Sequence, residues 1–345
     1  MKNRKLLKRL VNLQNPPRQT QTLKKSSPKM GKRGKQLAKE RRQNRLQQIS
    51  ELRKQPIPSH QRWWSSGTVA VVTGSSRGIG FEIARQLAGH GLFVVIAARD
   101  ADRCRRAAEE IRGEGARNVD WHRLDIEDFG SVEDFVKWVV DKFGGVDVLV
   151  NNAGVNYNIG SNNSVELAEK VMAINYFGTK RMIETMIPVM KPSPYGARIL
   201  NVTSRLGRIN GRRNRLGDAS LRDQLSRDDC LSEELIDGMI TKFLEQVKQG
   251  TGPLNEWPQV FTDYSLSKLA VNAYTRLMAR ILSERPEGQK IYMNCYCPGW
   301  VKTAMTNWEG NMTPEEGADT GVWAVLLPDE PVTGKFFAER REISF

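Results

Sequence analysis

The sequence predicts an α/β fold, a doubly wound parallel sheet with helices on both faces, over residues 65–345. Three observations predict it. Short, continuously apolar runs recur along the chain, as in strands buried on both faces. Amphipathic helical patterns alternate with those runs. The first run passes into the first helical pattern through a glycine-rich turn, 73–80 (TGSSRGIG).

The elements follow in order. Thr68–Val72 (TVAVV) is β-branched and reads as the first strand, followed by a helix over Ile79–Ala88. Leu92–Ala98 and Val119–Leu124 are the next strands, with a helix over Asp102–Ile111 between them. A helix over Ser131–Lys142 leads to the strand Val146–Val150, and one long helical pattern spans Val165–Met190. The strands Arg198–Val202, Ile291–Cys297 and Lys335–Phe337 complete the sheet, with helices over Ser265–Leu282 and Pro314–Leu327. Crossovers between parallel neighbours are expected to be right-handed. Residues 207–262 interrupt this alternation. Within them Leu235, Ile236, Met239, Ile240, Phe243, Leu244 and Val247 form an apolar stripe at helical spacing, so Ser232–Lys248 reads as a helix packed on the domain.

The formal charge of +14 is unevenly placed. Residues 1–64 carry 19 Lys and Arg against Glu40 and Glu51, a net +17, and the remainder is slightly acidic. The basic character therefore belongs to an extension, not to the domain. That extension is poor in apolar residues before Trp63 and reads as a solvated, disordered segment. A basic helix is possible over about Lys35–Leu52, ended by Pro56 and Pro58. A transit peptide and a nucleic-acid or membrane-surface contact are the alternatives, and Met30 offers a second start. No apolar run is long enough to span a membrane. Four scattered cysteines make no disulfide framework, and Cys295 and Cys297, on one face of a strand, read as buried thiols. A reducing compartment is expected: the cytoplasm, or a plastid if residues 1–64 are a transit peptide.

The turn Gly74-Ser75-Ser76-Arg77-Gly78-Ile79-Gly80 lets the backbone approach a pyrophosphate, and the following helix N-terminus supplies free N–H groups and a positive dipole end. Its spacing, G-x-x-x-G-x-G, differs from the usual dinucleotide pattern. At the end of the second strand, where a carboxylate would hold a ribose 2′-hydroxyl, stands Ala98, followed by Arg99. Two guanidiniums, Arg77 and Arg99, suit a 2′-phosphate, which points to NADP(H). The alternative is that Arg99 pairs on the surface with Asp100 or Asp102.

Further along stand Asn151-Asn152-Ala153-Gly154 after the fourth strand, Asn175, Ser204 after the fifth, Tyr264-x-x-x-Lys268, and Pro298-Gly299-x-x-x-Thr303. This ordered set resembles the short-chain dehydrogenase/reductase superfamily over residues 68–337, which implies a Rossmann fold. The 60 positions between Ser204 and Tyr264 and the tail Phe336-Phe337-Ala338-Glu339 resemble the monomeric carbonyl reductase branch, within it the plant menthone, neomenthol and salutaridine reductases. The resemblance implies NADPH-dependent interconversion of a ketone or aldehyde and an alcohol. It makes Tyr264 the acid/base, Lys268 its tuning partner and ligand of the nicotinamide ribose, Ser204 the group that holds the carbonyl oxygen, and Asn175 the anchor of a relay water. Tyr264 and Lys268 share a helix face, and the lysine charge, with that of oxidised nicotinamide, is expected to lower the phenol pKa. Ser204 rather than Thr203 is expected to face Tyr264, because neighbouring residues of an extended chain point to opposite sides. Asn175, inside a helical pattern, can perturb that helix locally.

By the same resemblance Asp125 receives the adenine amino group with Ile126 beside it. Asn152, Ala153 and Gly154 lie under the adenosine ribose. Pro298 and Gly299 shape the turn by the nicotinamide, and Val301 and Thr303 hold its carboxamide and the pyrophosphate. The insertion 207–262 is implied to cover the substrate cleft and the helix face used in tetramers, so a monomer without an obligate protein partner is expected. The basic run Arg208–Arg215 is expected to pair locally with Asp218, Asp223, Asp228 and Asp229. No metal site is expected. The rival readings are an NADP-binding scaffold without catalysis and an RNA-associated protein acting through its tail, although nucleic-acid contact by the tail is the less favoured of these.

Overall fold

The computed structural model describes residues 32–55, 57–157, 164–212, 214–250, 255–327 and 332–345. Residues 1–31, with the alternative start at Met30 and much of the extension's charge, and Arg213 of the basic run lie outside the described residues.

The strands are β1 Val69–Thr73, β2 Phe93–Ala98, β3 Val119–Arg123, β4 Val148–Asn151, β5 Ala197–Val202, β6 Ile291–Tyr296, β7 Phe336–Ala338 and β8 Arg341–Ile343. They form one sheet in the order β3-β2-β1-β4-β5-β6-β7-β8. All neighbours are parallel except β8, which folds back antiparallel on β7. The sequence reading omitted β8, whose short run at the sheet edge is only partly buried. The chain reverses its direction of winding between β1 and β4, and ligands of such sheets sit beyond the strand C-termini at that point.

The helices are α1 Lys32–Arg53, α2 Gly78–Gly89, α3 Ala101–Gly113, α4 Phe129–Phe143, α5 Val165–Met172, α6 Thr179–Met186, α7 Ala219–Ser226, α8 Glu233–Gln249, α9 Thr262–Ser283 and α10 Pro314–Val325. Alternate strand residues feed two apolar layers. Val71, Val95, Leu149, Ile199 and Met293 face one way, in the layer that holds the apolar residues of α4, α5, α6 and α9. Val72, Ile96, Val150, Leu200 and Tyr296 face the other, in the layer of α2, α3 and α10. Asp100, Asp128, Ser164 and Ser232 cap the helices that follow them, each accepting a backbone N–H in the first turn.

Two expectations change. The pattern Val165–Met190 is not one helix: α5 and α6 are separated by a π-helical turn, Ala173–Gly178, with Asn175 inside it. The extension also differs from a solvated, disordered tail over its described part. α1 is helical, Ile49 is buried, and Arg42 and Arg45 pair with Glu339. The domain core starts before residue 65. Trp63 and Trp64 belong to the second apolar layer; Trp64 Nε1 donates to His90 O at 2.9 Å, and Trp63 lies 3.8 Å under the Arg198 guanidinium. These two rings supply most of the burial in the described part of the extension.

Candidate active site

A cleft of about 340 Å³ opens at the C-terminal edge of β1, β2 and β4. Its floor is the turn after β1: Gly74, Ser76, Arg77, Gly78, Ile79 and Gly80 all line it. Gly74 has φ 62°, and a Cβ there would lie 2.7 Å from Ala153 Cα, so only glycine lets the turn rest on the end of β4. Asn152 fastens the same junction, its Nδ2 donating to Thr73 O at 2.9 Å and Gly74 O at 3.1 Å. Asn152, Ala153 and Gly154 line the cleft beside the turn, and Asp125 and Ile126 close it on the β3 side.

Arg77 and Arg99 both reach this cleft. Asp100 is held by Arg103 at 3.0 Å and Asp102 lies 3.7 Å from Arg105, so neither is the partner of Arg99. The surface-pairing alternative for Arg99 therefore falls. The sequence reading missed Arg103, a third guanidinium lining the cleft. Its signal was a second arginine four positions after Arg99, in the first turn of α3. A glycine turn at a helix N-terminus, with the Arg77 guanidinium in the turn, Arg99 at the end of β2 and Arg103 in the first turn of α3, fits a dinucleotide bearing a 2′-phosphate.

Thr303 lines the opposite wall with Ala304, Met305 and Trp308. Val301 is placed differently: its side chain is buried and packs on Gly317, so any contact it offers a ligand comes from its backbone. Pro298 and Gly299 form the turn after β6 and do not line this cleft; Gly299 has φ 91° and faces Met312.

The polar groups expected to do chemistry converge beyond Gly154. A Cβ at Gly154 would stand 3.1 Å from Asn175 Oδ1 and 3.4 Å from Lys268 Nζ, so the three meet around one point. Asn175 clamps the loop after β4: its Nδ2 donates to Val155 O at 2.9 Å and to Ser267 Oγ at 3.0 Å, and its Oδ1 accepts from Val155 N at 2.8 Å. Ser267, not singled out from the sequence, thus holds Asn175 from α9. Ser204 follows β5; its Oγ accepts from Leu206 N at 3.1 Å, and its side chain lies close enough to that of Tyr264 to favour the phenolate. Thr203 points elsewhere, donating to Lys268 O at 3.2 Å. Lys268 is buried; its Nζ donates to Val202 O at 3.0 Å and lies 5.8 Å from the Tyr264 ring centroid.

Burial dominates the electrostatics of the site. It pushes the Tyr264 phenol up from its ordinary value, opposed by the Ser204 side chain. Burial likewise pulls the Lys268 ammonium down to about 8. Desolvation drives each of the two groups towards its neutral form.

The short chain dehydrogenase family matches residues 68–215. Carbonyl reductase (NADPH) 1 of Bos taurus is 36% identical over 285 residues, 81% of this chain and 99% of that protein. (+)-Neomenthol dehydrogenase of Arabidopsis thaliana is 36% identical over 80% of this chain and 97% of its own. The chain belongs to the short-chain dehydrogenase family. Among solved structures, salutaridine reductase from Papaver somniferum superposes with a TM-score of 0.70 at 33% identity, over 78% of this chain and 99% of that one. Menthone neomenthol reductase from Mentha piperita gives 0.67 at 30%, over 79% and 98%.

In this short-chain dehydrogenase the insertion 207–262 is helical where the apolar stripe predicted it, as α8, with α7 in addition. Ile236, Met239, Ile240 and Phe243 are buried, and α8 lies on α5 and α9. Asp237 fixes it there, accepting from Tyr176 OH at 2.6 Å and from Lys180 Nζ at 2.7 Å. Among the described residues the expected pairing of Arg208–Arg215 with nearby aspartates is not found. Asp218 pairs with Lys242, Asp228 with Arg276 and Asp229 with Arg227, while Arg208 donates to Ser344 O at 2.9 Å. Asp218 and Asp229 are held within the insertion and Asp228 ties it to α9, so these carboxylates are taken up away from the basic run.

Proposed function

We propose that the protein is a monomeric NADPH-dependent carbonyl reductase that converts a ketone or aldehyde to the alcohol. The single observation that carries this reading is the meeting of Ser204, Tyr264 and Lys268 at the end of a cleft whose far wall holds Arg77 and Arg99. The carbonyl and neomenthol enzymes of similar sequence support it. Arg77, Arg99 and the glycine turn hold the cofactor phosphates; when bound, NADPH supplies the hydride.

The chain supplies everything else. Ser204 hydrogen-bonds the substrate oxygen and sets it beside Tyr264. The Tyr264 hydroxyl, kept protonated by burial, gives its proton to that oxygen as negative charge develops there. Lys268 stabilises the phenolate left behind. The Asn175 side chain is fully engaged with Val155 and Ser267, so a relay water falls to its main-chain carbonyl in the π turn. With α8 lying on α5 and α9, that helical face is not open to a second copy.

The test is NADPH consumption with terpenoid ketones, quinones and aldehydes, run against Tyr264→Phe. Wild-type turnover in that variant overturns the assignment. Cofactor binding with no carbonyl reduced across the panel favours the silent scaffold instead.

A further inference from the structure

A cluster of arginines that does not line the cofactor cleft has no part in the reading above. It surrounds Glu339, at the tip of the β7–β8 hairpin, whose carboxylate is only 7% exposed. Glu339 Oε1 accepts from Arg42 Nε at 3.0 Å and lies 3.4 Å from Arg205; Oε2 accepts from Arg45 Nε at 2.9 Å and lies 3.9 Å from Arg341. Arg42 and Arg45 come from α1, Arg205 from the turn after β5 and Arg341 from β8. Four guanidiniums therefore share one carboxylate.

The neighbouring acids are already spent. Asp319 is held by Arg340 at 2.6 Å and Glu342 by Lys335 at 3.2 Å. A fifth cation, Arg208, stands close enough to Arg205 for the two to repel, and it uses its donors on Ser344. The donors around Glu339 are also underused. Among the described residues Arg42 and Arg45 each commit only Nε–H, and Arg341 Nε is buried without a partner. Arg42 stays 40% and Arg205 36% exposed, so solvent ions can reach them.

We propose that this cluster binds a multiply charged oxyanion of the phosphate class between α1 and the C-terminal hairpin. The chemistry selects the class: planar guanidinium forks match the oxygens of phosphate in pairs, and a single negative charge leaves most of the cluster uncompensated. The site also explains how α1 docks. That helix is polar nearly all round, and among its described side chains Ile49 is the one buried apolar residue, so apolar burial contributes little to holding it. Anion binding and helix docking are then linked, each strengthening the other. None of this rests on the catalytic reading.

The experiment uses the full chain saturated with NADPH, so that the cofactor cleft is filled. Inorganic phosphate is titrated against sodium chloride of equal ionic strength, and tryptic cleavage after Arg42 and Arg45 is followed by mass spectrometry. Phosphate at about ten times its dissociation constant slows cleavage about tenfold beyond chloride. Glu339→Gln is cut faster than wild type in chloride, and phosphate restores its protection, because the anion replaces the lost charge. Arg341→Ala loses the phosphate effect; Arg341→Lys, which keeps the charge without the fork, retains only part of it and serves if the alanine variant does not fold. Equal rates in phosphate and chloride overturn the proposal. So does a Glu339→Gln protein that phosphate leaves unprotected, the result of a purely structural ion-pair network.

Discussion

Replacing Lys268 by methionine separates what the site does for chemistry from what it costs the fold. The ammonium is 6% exposed and burial lowers its pKa from 10.5 to about 8. At about 1.36 kcal/mol for each pH unit, holding the charged form in the folded chain costs about 3 kcal/mol below the folded pKa. Methionine is of similar length and carries no charge. It forfeits the hydrogen bond from Nζ to Val202 O, worth about 1 kcal/mol net. The variant should therefore be more stable than wild type by about 2 kcal/mol near neutral pH, a gap set by desolvation.

The pH dependence has a definite sign. The unfolded lysine keeps its proton up to 10.5, whereas the folded one releases it through about 8. Between those values the unfolded state binds more protons, so wild-type stability rises with pH and the advantage of the variant fades. Urea unfolding, followed by circular dichroism at neutral pH and at steps towards 10.5, measures both quantities. Activity in the variant should be nearly abolished, and kcat/KM of the wild type should fall above about pH 8 as the lysine loses its charge. A variant less stable than wild type at neutral pH refutes the desolvation argument, and so does a stability gap that does not change with pH.

Ser204→Ala should lower kcat by about 10²-fold while leaving cofactor affinity unchanged, as expected when one donor to a developing oxyanion is removed; steady-state kinetics with cofactor titration checks both halves. Arg77→Ala and Arg99→Ala should each raise the KM for NADPH about tenfold or more, the scale of one charge-assisted hydrogen bond, and should leave the KM for NADH nearly untouched. Gly207→Ala would place a Cβ 2.4 Å from the Lys268 carbonyl carbon, so its melting temperature should fall and kcat should drop with it, because the clash is with backbone that cannot swing away.

Much of this arrangement was legible in the sequence because it is written in local patterns. The buried strands β1, β2, β5 and β6 are continuous apolar runs, and their observed ends lie within a residue or two of the expected ones. Tyr264 and Lys268, four apart on α9, had to share a face. What escaped depends on partners distant in the chain. α1 docks through Arg42 and Arg45 to Glu339, nearly three hundred positions away, and its own sequence carries almost no apolar stripe. The break between α5 and α6 follows from Asn175 reaching across to Val155 and Ser267, contacts that spacing does not announce. The pKa directions of Tyr264 and Lys268 depend on depth, which the motif does not encode.

The distance between Ser204 and Tyr264 is set by backbone rather than by the two side chains. The turn after Ser204 lies directly on α9: Gly207 admits no Cβ against Lys268, and Asn272 Nδ2 donates to Gly207 O at 2.8 Å. Thr203 Oγ1 donates to Lys268 O at 3.2 Å on the other side of Ser204. Three contacts from one stretch of α9 thus bracket the serine, two of them at Gly207 where the insertion begins, and none involves α7 or α8. Asn214, in the insertion, ties the start of α9 to that same turn, its Nδ2 donating to Ser265 Oγ at 2.9 Å and to Leu206 O at 3.2 Å. The Ser204 turn is therefore held by α9 and by the start of the insertion, while the helices α7 and α8 make none of these bonds. Substitutions on the side of α7 and α8 facing away from α9 should change which carbonyl compounds enter while leaving the Ser204–Tyr264 contact intact, so they should act on KM across a substrate panel and little on the kcat of a small aldehyde. A variant of α8 that lowered kcat equally for every substrate would show that the two are coupled after all.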